Sequence, residues 1–381
     1  MRIMGSSRDP EYDVIIVGSG PAGISTAIHL TQLIPSIKNR VIVLEKETHP
    51  RKKICGGGVG AYTDYWLQRL GIKMSIKSTT IQRTRIVLDH DGHVDYCFDV
   101  GELRTVIREE FDEALLRTAR DLGIKVIENQ PVTSFFYRGE AAVVQTPKRN
   151  FTTRILVGAD GVQSIIRRKL YKNPGQRSPR NTCSTLRFMT RADSLYFSDQ
   201  REQEAIIDFS CTFRHRIRGY AWSFPVSIGG QACLNTGVGG FSTSQKDGPL
   251  LRKILVEFLA ARGISLNEGK VEGWPIRWFH PDSIFSADRV LLVGDAAGVD
   301  PLWGEGIAFS LGYGHVAANA IVHAFVSEDF SFTTYKDRLV GHEIGQELMN
   351  RLQWADKLYR SHNTADVKDI LLSLILPRRN G

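Results

Sequence analysis

Gly18, Gly20 and Gly23 stand at G-x-G-x-x-G spacing, between the apolar run Val14-Ile-Ile-Val17 and a stretch compatible with a helix. That spacing suits a diphosphate. Gly18 permits a tight turn, Gly20 lets the backbone approach a pyrophosphate, and Gly23 lets a helix pack on the preceding strand. Pro21 and Ala22 open that helix, whose N-terminus offers unpaired N–H groups and a partial positive charge. Glu45 closes the next apolar run, Val41-Ile-Val-Leu44, and Lys46 follows it. An acid about 20 residues after the glycines is placed to accept from a ribose hydroxyl. The chain reads as dinucleotide-binding.

A second glycine–acid pair lies far downstream. Arg289-Val-Leu-Leu-Val-Gly-Asp295-Ala-Ala-Gly298 is another apolar strand that breaks at its glycine, with a helix-like run from about Gly306. A nicotinamide dinucleotide alone has no need of it. A carboxylate at such a strand end is a strong acceptor for hydroxyls. Between the two motifs lie Arg108-Glu-Glu-Phe-Asp112 and Val157-Gly-Ala-Asp160-Gly161. Each alone could be a strand end with an ordinary turn. In Pro301-Leu-Trp-Gly304-Glu-Gly306-Ile307, the glycines leave room for a flat ligand. The N–H groups there can stabilise negative charge, though a plain loop capping a helix has the same composition. In this order the segments resemble the para-hydroxybenzoate hydroxylase superfamily of flavoproteins. The resemblance implies FAD, with Asp295 on its ribityl chain and Arg108 helping to hold it. It implies Asp160-Gly161 as the superfamily's Asp-Gly motif, and the Gly304–Ile307 loop against the isoalloxazine edge.

Two further segments bear on the reaction: Lys53-Ile-Cys55-Gly56-Gly57-Gly58-Val59 and Gly219-Tyr220-Ala-Trp222-Ser-Phe224-Pro225. Three glycines in a row let a chain pass close to a flat ring. Tyr220, Trp222 and Phe224, at period 2, share one face of a strand and can line an apolar slot. The same rings could be sheet core, and Cys55 a small buried hydrophobe. Together the segments resemble the geranylgeranyl reductase family. That resemblance implies hydride delivery from reduced flavin N5 to one alkene carbon of a polyprenyl chain, with a proton added to the other. Cys55, Tyr220 and Trp222 become the catalytic candidates, and Cys55, Tyr220 or an ordered water the proton source. Gly57, Gly58 and Val59 join Cys55 beside the cofactor. An aromatic-ring monooxygenase using O2 and a non-catalytic flavin electron-transfer protein are the rival readings. Flavin halogenases carry Trp-x-Trp-x-Ile-Pro where this chain has Tyr220, Trp222 and Phe224. With one complete dinucleotide fingerprint, electrons must come from NAD(P)H visiting transiently, or from ferredoxin or another acidic carrier.

The elements that position these residues imply an α/β fold. A discontinuous Rossmann-like FAD-binding domain is expected from 1–75, 100–175 and 275–330. Residues 76–99 and 176–274 form an inserted antiparallel-sheet substrate domain, and 331–381 a C-terminal helical region. Leu103–Leu122 and Pro249–Arg262 have helical spacing. The apolar end Asp369-Ile-Leu-Leu-Ser-Leu-Ile-Leu376, followed by Pro377-Arg-Arg, is expected to pack as a helix, to act as a lid, or to touch a membrane surface. No run reaches the ~20 apolar residues of a membrane span. The five cysteines show no disulfide framework, and the first dozen residues no signal-peptide core. A cytoplasmic protein, peripheral to a membrane at most, is expected. The net charge of +8 gathers in runs such as Arg51-Lys-Lys53 and Arg167-Arg-Lys169. These suggest a solvated basic face, an anionic head group, acidic lipid or an acidic electron donor. No nucleic-acid motif accompanies them. No metal-ligand spacing is present.

Overall fold

A computed structural model describes residues 9–72, 77–88, 95–98, 103–171, 178–192, 204–241, 247–361 and 364–375, with the backbone only at 95–98, 241, 247, 364, 365, 372, 374 and 375. The helices, in chain order, are α1 (Pro21–Leu33), α2 (Ala61–Arg69), α3 (Arg108–Asp121), α4 (Ile165–Leu170) and α5 (Ser210–His215). They continue as α6 (Asp247–Ala260), α7 (Gly306–Ser327), α8 (Tyr335–Gly341), α9 (Glu343–Arg360) and α10 (Thr364–Ile375).

The apolar runs become parallel strands because both their faces are covered. Tyr12–Val17 pairs in parallel with Val41–Leu44 on one side and Asn150–Gly158 on the other. Lys125–Ile127 and Val290–Leu292 extend the sheet at either end. Ile15, Ile42, Leu156 and Leu291 are fully buried in it. The Gly18 and Asp295 motifs follow the carboxyl ends of two of these strands, where open α/β sheets bind ligands.

The second sheet runs Lys270–Arg277, Thr182–Arg191, Gln231–Phe241, Arg218–Ile228, Glu204–Asp208, Arg83–Val87, Asp95–Phe98. It is not wholly antiparallel, since Glu204–Asp208 pairs in parallel with Arg83–Val87. A small third sheet pairs Arg104–Val106 with Gly58–Val59 and Ser78–Thr80. The helix expected over Leu103–Leu122 therefore begins only at Arg108. Residues 104–106 are a strand because Gly58–Val59 and Ser78–Thr80 supply their hydrogen bonds. α10 packs, with Val367 and Leu371 buried among Leu358, Tyr359 and Leu302. Pro377-Arg-Arg lies outside the described residues. No described helix is long and apolar enough to cross a membrane.

Behind the sheet, α1, α7 and the start of α9 meet at three histidines. His29 and His315 pack edge to face at 5.0 Å between ring centroids, and His315 Nδ1 lies 3.2 Å from His342 Nε2. Burial first, then neighbouring histidine charge, lowers both His29 and His315 to about 4. Their folded values lie below the unfolded value, so the stability is fully present above pH ~6.5 and is lost as pH falls toward about 4. Melting temperature is expected to fall across that window. His29 alone supplies up to about 1.4 kcal/mol per pH unit. His29→Leu should flatten the slope; an unchanged slope would acquit the cluster.

Candidate functional site

α1 and α7 aim their N-termini at the same region, and neither carries a capping side chain or an acid in its first turn. Uncapped N–H groups at a helix start are ready donors to anions. At Gly18, φ is +103°, and a Cβ would lie 2.3 Å from the Ala159 carbonyl oxygen. A Cβ at Gly23 would lie 1.9 Å from the Gly18 oxygen. These two glycines are demanded by the protein's own backbone. Gly20 is different: a Cβ there would meet only the Arg51 guanidinium, at 3.5 Å. Its space is open toward the cleft.

Glu45 is buried and accepts from the Ser19 N–H at 2.9 Å and the Ser19 hydroxyl at 2.6 Å. Burial pushes its pKa up, but Arg51, together with the Ser19 and Glu47 donors, holds it below the ordinary value. Lys46 does not join it. Its side chain stands in solvent beside Glu47, because the strand has ended and the chain has turned outward.

The basic run at 51–53 is not a solvated face. Arg51 turns inward and reaches Asp112 at 3.1 Å. Lys53 lies 3.9 Å from Asp295 and 4.7 Å above the Trp274 ring. Burial lowers its pKa against the pull of Asp295. Only Lys52 faces outward, toward Glu272. Arg108 forks onto Asp112 at 2.8 and 2.9 Å. The buried Arg108–Asp112 pair, with Arg51 leaning on it, sets three charged groups beside Cys55, whose sulfur interacts with Arg108. Cys55 Sγ also accepts from the Gly57 N–H at 3.4 Å.

Asn235 pins the Cys55 loop. Its side-chain amide donates to the Cys55 and Gly56 carbonyls at 2.8 and 2.9 Å, and its oxygen faces Trp222 Nε1 at 3.4 Å. A Cβ on Gly56 would sit 3.5 Å from both Trp222 and Phe224. The loop thus lies on the aromatic face of Arg218–Ile228. Gly57 faces elsewhere: φ is +79°, and a Cβ would collide with the Val106 oxygen at 2.4 Å. Its lack of a side chain serves the small third sheet. Gly58 and Val59 form the strand that pairs there. Tyr220 packs tilted against Phe209 and donates its hydroxyl to the Trp303 carbonyl, and burial pushes its pKa well up.

Asp295 faces the start of α7: a Cβ on Gly306 would lie 3.6 Å from its Oδ1. Ile307 is buried in the first turn of α7, and Gly304 has φ +68°. Asp300 holds this loop by accepting from the N–H groups of Leu302, Trp303 and Glu305. Arg351 of α9 locks it, reaching Asp300 at 2.6 Å and Glu305 at 2.9 Å. Asp160 accepts from the Ile165 and Ile166 N–H groups through one oxygen. Its other oxygen is buried with no partner, and burial raises its pKa. The adjoining Gly161 has φ +76°. Two uncapped helix starts, an open Gly20, the buried Glu45, the half-buried Asp295 and an orphaned acid match the donor and acceptor needs of FAD. Among the described residues, no group of His, Cys, Asp and Glu side chains has a metal-binding arrangement.

Sequence spacing brings together Gly18, Gly20, Gly23, Glu45, Cys55, Arg108, Asp295 and Gly306. It misses Arg51, Lys53, Asp112, Asn235, Asp300 and Arg351. Asp112 closes the Arg-x-x-Phe-Asp segment, and Asp300 and Glu305 bracket the glycine loop, so those signals were local. Asn235 and Arg351 carry none.

Asp295→Ala is expected to weaken FAD binding about 10- to 100-fold, the worth of a hydrogen bond to a charged group. Flavin-to-protein absorbance after gel filtration reads this. Full retention of flavin in the variant would remove Asp295 from the cofactor's contacts.

The FAD-binding-domain family matches residues 11–323. The chain is 28% identical over 353 residues to digeranylgeranylglycerophospholipid reductase 1 of Methanopyrus kandleri, covering 86% of each protein. The fold is similar to a geranylgeranyl bacteriochlorophyll reductase-like protein of Thermoplasma acidophilum (TM-score 0.78, 20% identity, 95% of this chain and 91% of that one). It is also similar to the halogenase PltM (TM-score 0.70, 17% identity, 96% and 79%). The chain belongs to the FAD-binding-domain family and is an FAD-dependent oxidoreductase.

Proposed function

We propose that this oxidoreductase reduces carbon–carbon double bonds in a polyprenyl chain. The observation that carries the reading is the Asn235 staple. It fixes the Cys55-Gly56 loop against Trp222 and Phe224, joining the cofactor cleft to an apolar aromatic face. An isolated alkene offers no carbonyl for a donor to polarise, so the protein must orient it and exclude water. The rings of Trp222 and Phe224 suit that work. When bound and reduced, FAD would supply the hydride. Of the side chains considered for proton delivery, Tyr220 is committed to the Trp303 carbonyl and anchors the loop. Cys55 is not so committed, its sulfur accepting from the Gly57 N–H at 3.4 Å. We assign the proton to Cys55 and positioning to Tyr220. Asp295, Arg108 and the starts of α1 and α7 hold the cofactor. The prenyl-lipid relative supports this substrate class, and the halogenase supports the fold alone.

The test is anaerobic mixing of dithionite-reduced protein with geranylgeranyl diphosphate, following flavin reoxidation and product mass. Reoxidation with two hydrogens added per turnover is expected. Reoxidation only with O2 and an aromatic substrate would transfer the assignment to a monooxygenase.

A further inference from the structure

Ser19, Glu45 and Glu128 stand just beyond the carboxyl ends of three neighbouring parallel strands, Tyr12–Val17, Val41–Leu44 and Lys125–Ile127. Glu45 is the acid whose place after the glycines suits a ribose hydroxyl. A carboxylate offers roughly four acceptor positions. Glu45 gives two of its own to the Ser19 N–H and hydroxyl, and another to the Glu47 N–H at 3.0 Å. About one position remains for a ligand. Its direction depends on how Ser19 holds the carboxylate.

The Ser19 hydroxyl is itself held. It has a single hydrogen, which it gives to Glu45 at 2.6 Å. Toward any other neighbour its oxygen can only accept. His49 supplies a donor: its Nε2 lies 3.4 Å from Ser19 Oγ, and its ring is shut off from solvent. The ring is fixed from behind. Nδ1 lies 3.2 Å from Glu128 Oε1, and the same oxygen accepts from the His49 backbone N–H at 2.7 Å. Arg120 of α3 donates to the other oxygen of Glu128 at 2.7 Å. Burial pushes the Glu128 pKa up, but the His49 and Arg120 donors hold it below the ordinary carboxylate value. The row Arg120, Glu128, His49, Ser19, Glu45 thus runs from the surface to the Gly18 turn.

We propose that His49 is a positioning residue for the adenosine end of FAD: by donating to Ser19, it keeps the Ser19 hydroxyl on Glu45 and Glu45 aimed for a ribose hydroxyl. A serine side chain has three staggered rotamers. Without a donor behind it, the hydroxyl is free to leave the carboxylate, and Glu45 must then be ordered again each time the cofactor binds. The inference rests on Glu45 as the ribose acceptor and holds whichever substrate the flavin reduces.

The test follows FAD release from the full-length holoprotein by flavin fluorescence. S19A and H49L are each expected to speed release about tenfold, the worth of one hydrogen bond to a charged group. H49Q and H49N separate the two ring nitrogens. The longer glutamine amide reaches the Nε2 position and can donate to Ser19, so H49Q should release FAD at close to the wild-type rate. The shorter asparagine amide matches Nδ1 and should release as H49L does. Because His49 acts through Ser19, adding H49N to S19A should change release by about twofold or less. If H49L does not fold, the two amide variants still decide. Equal release from H49Q and H49N would overturn the proposal. So would fully additive effects of H49N and S19A, which would make His49 a packing residue alone, or a wild-type rate in S19A.

Discussion

Arg351→Met is expected to destabilise the protein by about 3–5 kcal/mol, the cost of leaving buried carboxylates without their cation. Asp300 is fully buried and Glu305 half-buried, and Arg351 joins both through one guanidinium nitrogen while its Nε holds Glu347 at 2.8 Å. Burial already raises the Glu305 pKa against the pull of Arg351. Without that pull, two acids would face each other at the start of α7. The loop they share carries Gly304 and Gly306, so the loss should reach the cofactor as well as the fold. Urea unfolding would read the first effect and flavin retention the second. Adding Glu305→Gln to Arg351→Met should recover part of both, because one of the opposed charges is removed. A methionine variant as stable as wild type would make the cluster a solvated surface pair.

Arg351 also shows where sequence reasoning stops. The glycine–acid motifs were legible because each is a local device: a strand end, a turn and a helix start within a dozen residues. Gly18 and Gly23 could be read because backbone contacts leave no choice of residue there. Arg351 lies 51 positions from Asp300, and Asn235 lies 180 from Cys55. Nothing in local pattern marks an arginine on an amphipathic helix as the clamp of a distant loop. The charge run at 51–53 misled for a related reason. Composition gives the sign of a run, but the fold decides which members turn inward, and here Arg51 and Lys53 do. Lys46 turns the opposite way, its side chain standing in solvent beside Glu47. Tyr220 sits on the expected strand face, but the Trp303 carbonyl, 83 residues away, claims its hydroxyl.

Trp222→Ala is expected to cut kcat/KM for a prenyl substrate about 10- to 100-fold while flavin content is kept, the worth of a few kcal/mol of lost substrate orientation. The ring is buried against the Gly56 position, and Gly237 opposite it has no side chain because one would strike the indole. Truncation would open a cavity, and core Trp→Ala changes cost about 3–5 kcal/mol. The alanine variant must therefore be assayed below its own melting transition. Trp222→Phe separates packing from hydrogen bonding. It keeps an aromatic wall but gives up the indole N–H that faces Asn235. Asn235→Leu removes the staple and leaves the wall. If the slot works by orientation, Trp222→Phe should retain most turnover and Asn235→Leu should lose about as much as Trp222→Ala, because the Cys55 loop then floats. Unchanged prenyl turnover in Trp222→Ala would put the substrate elsewhere, and the aromatic face would be core alone.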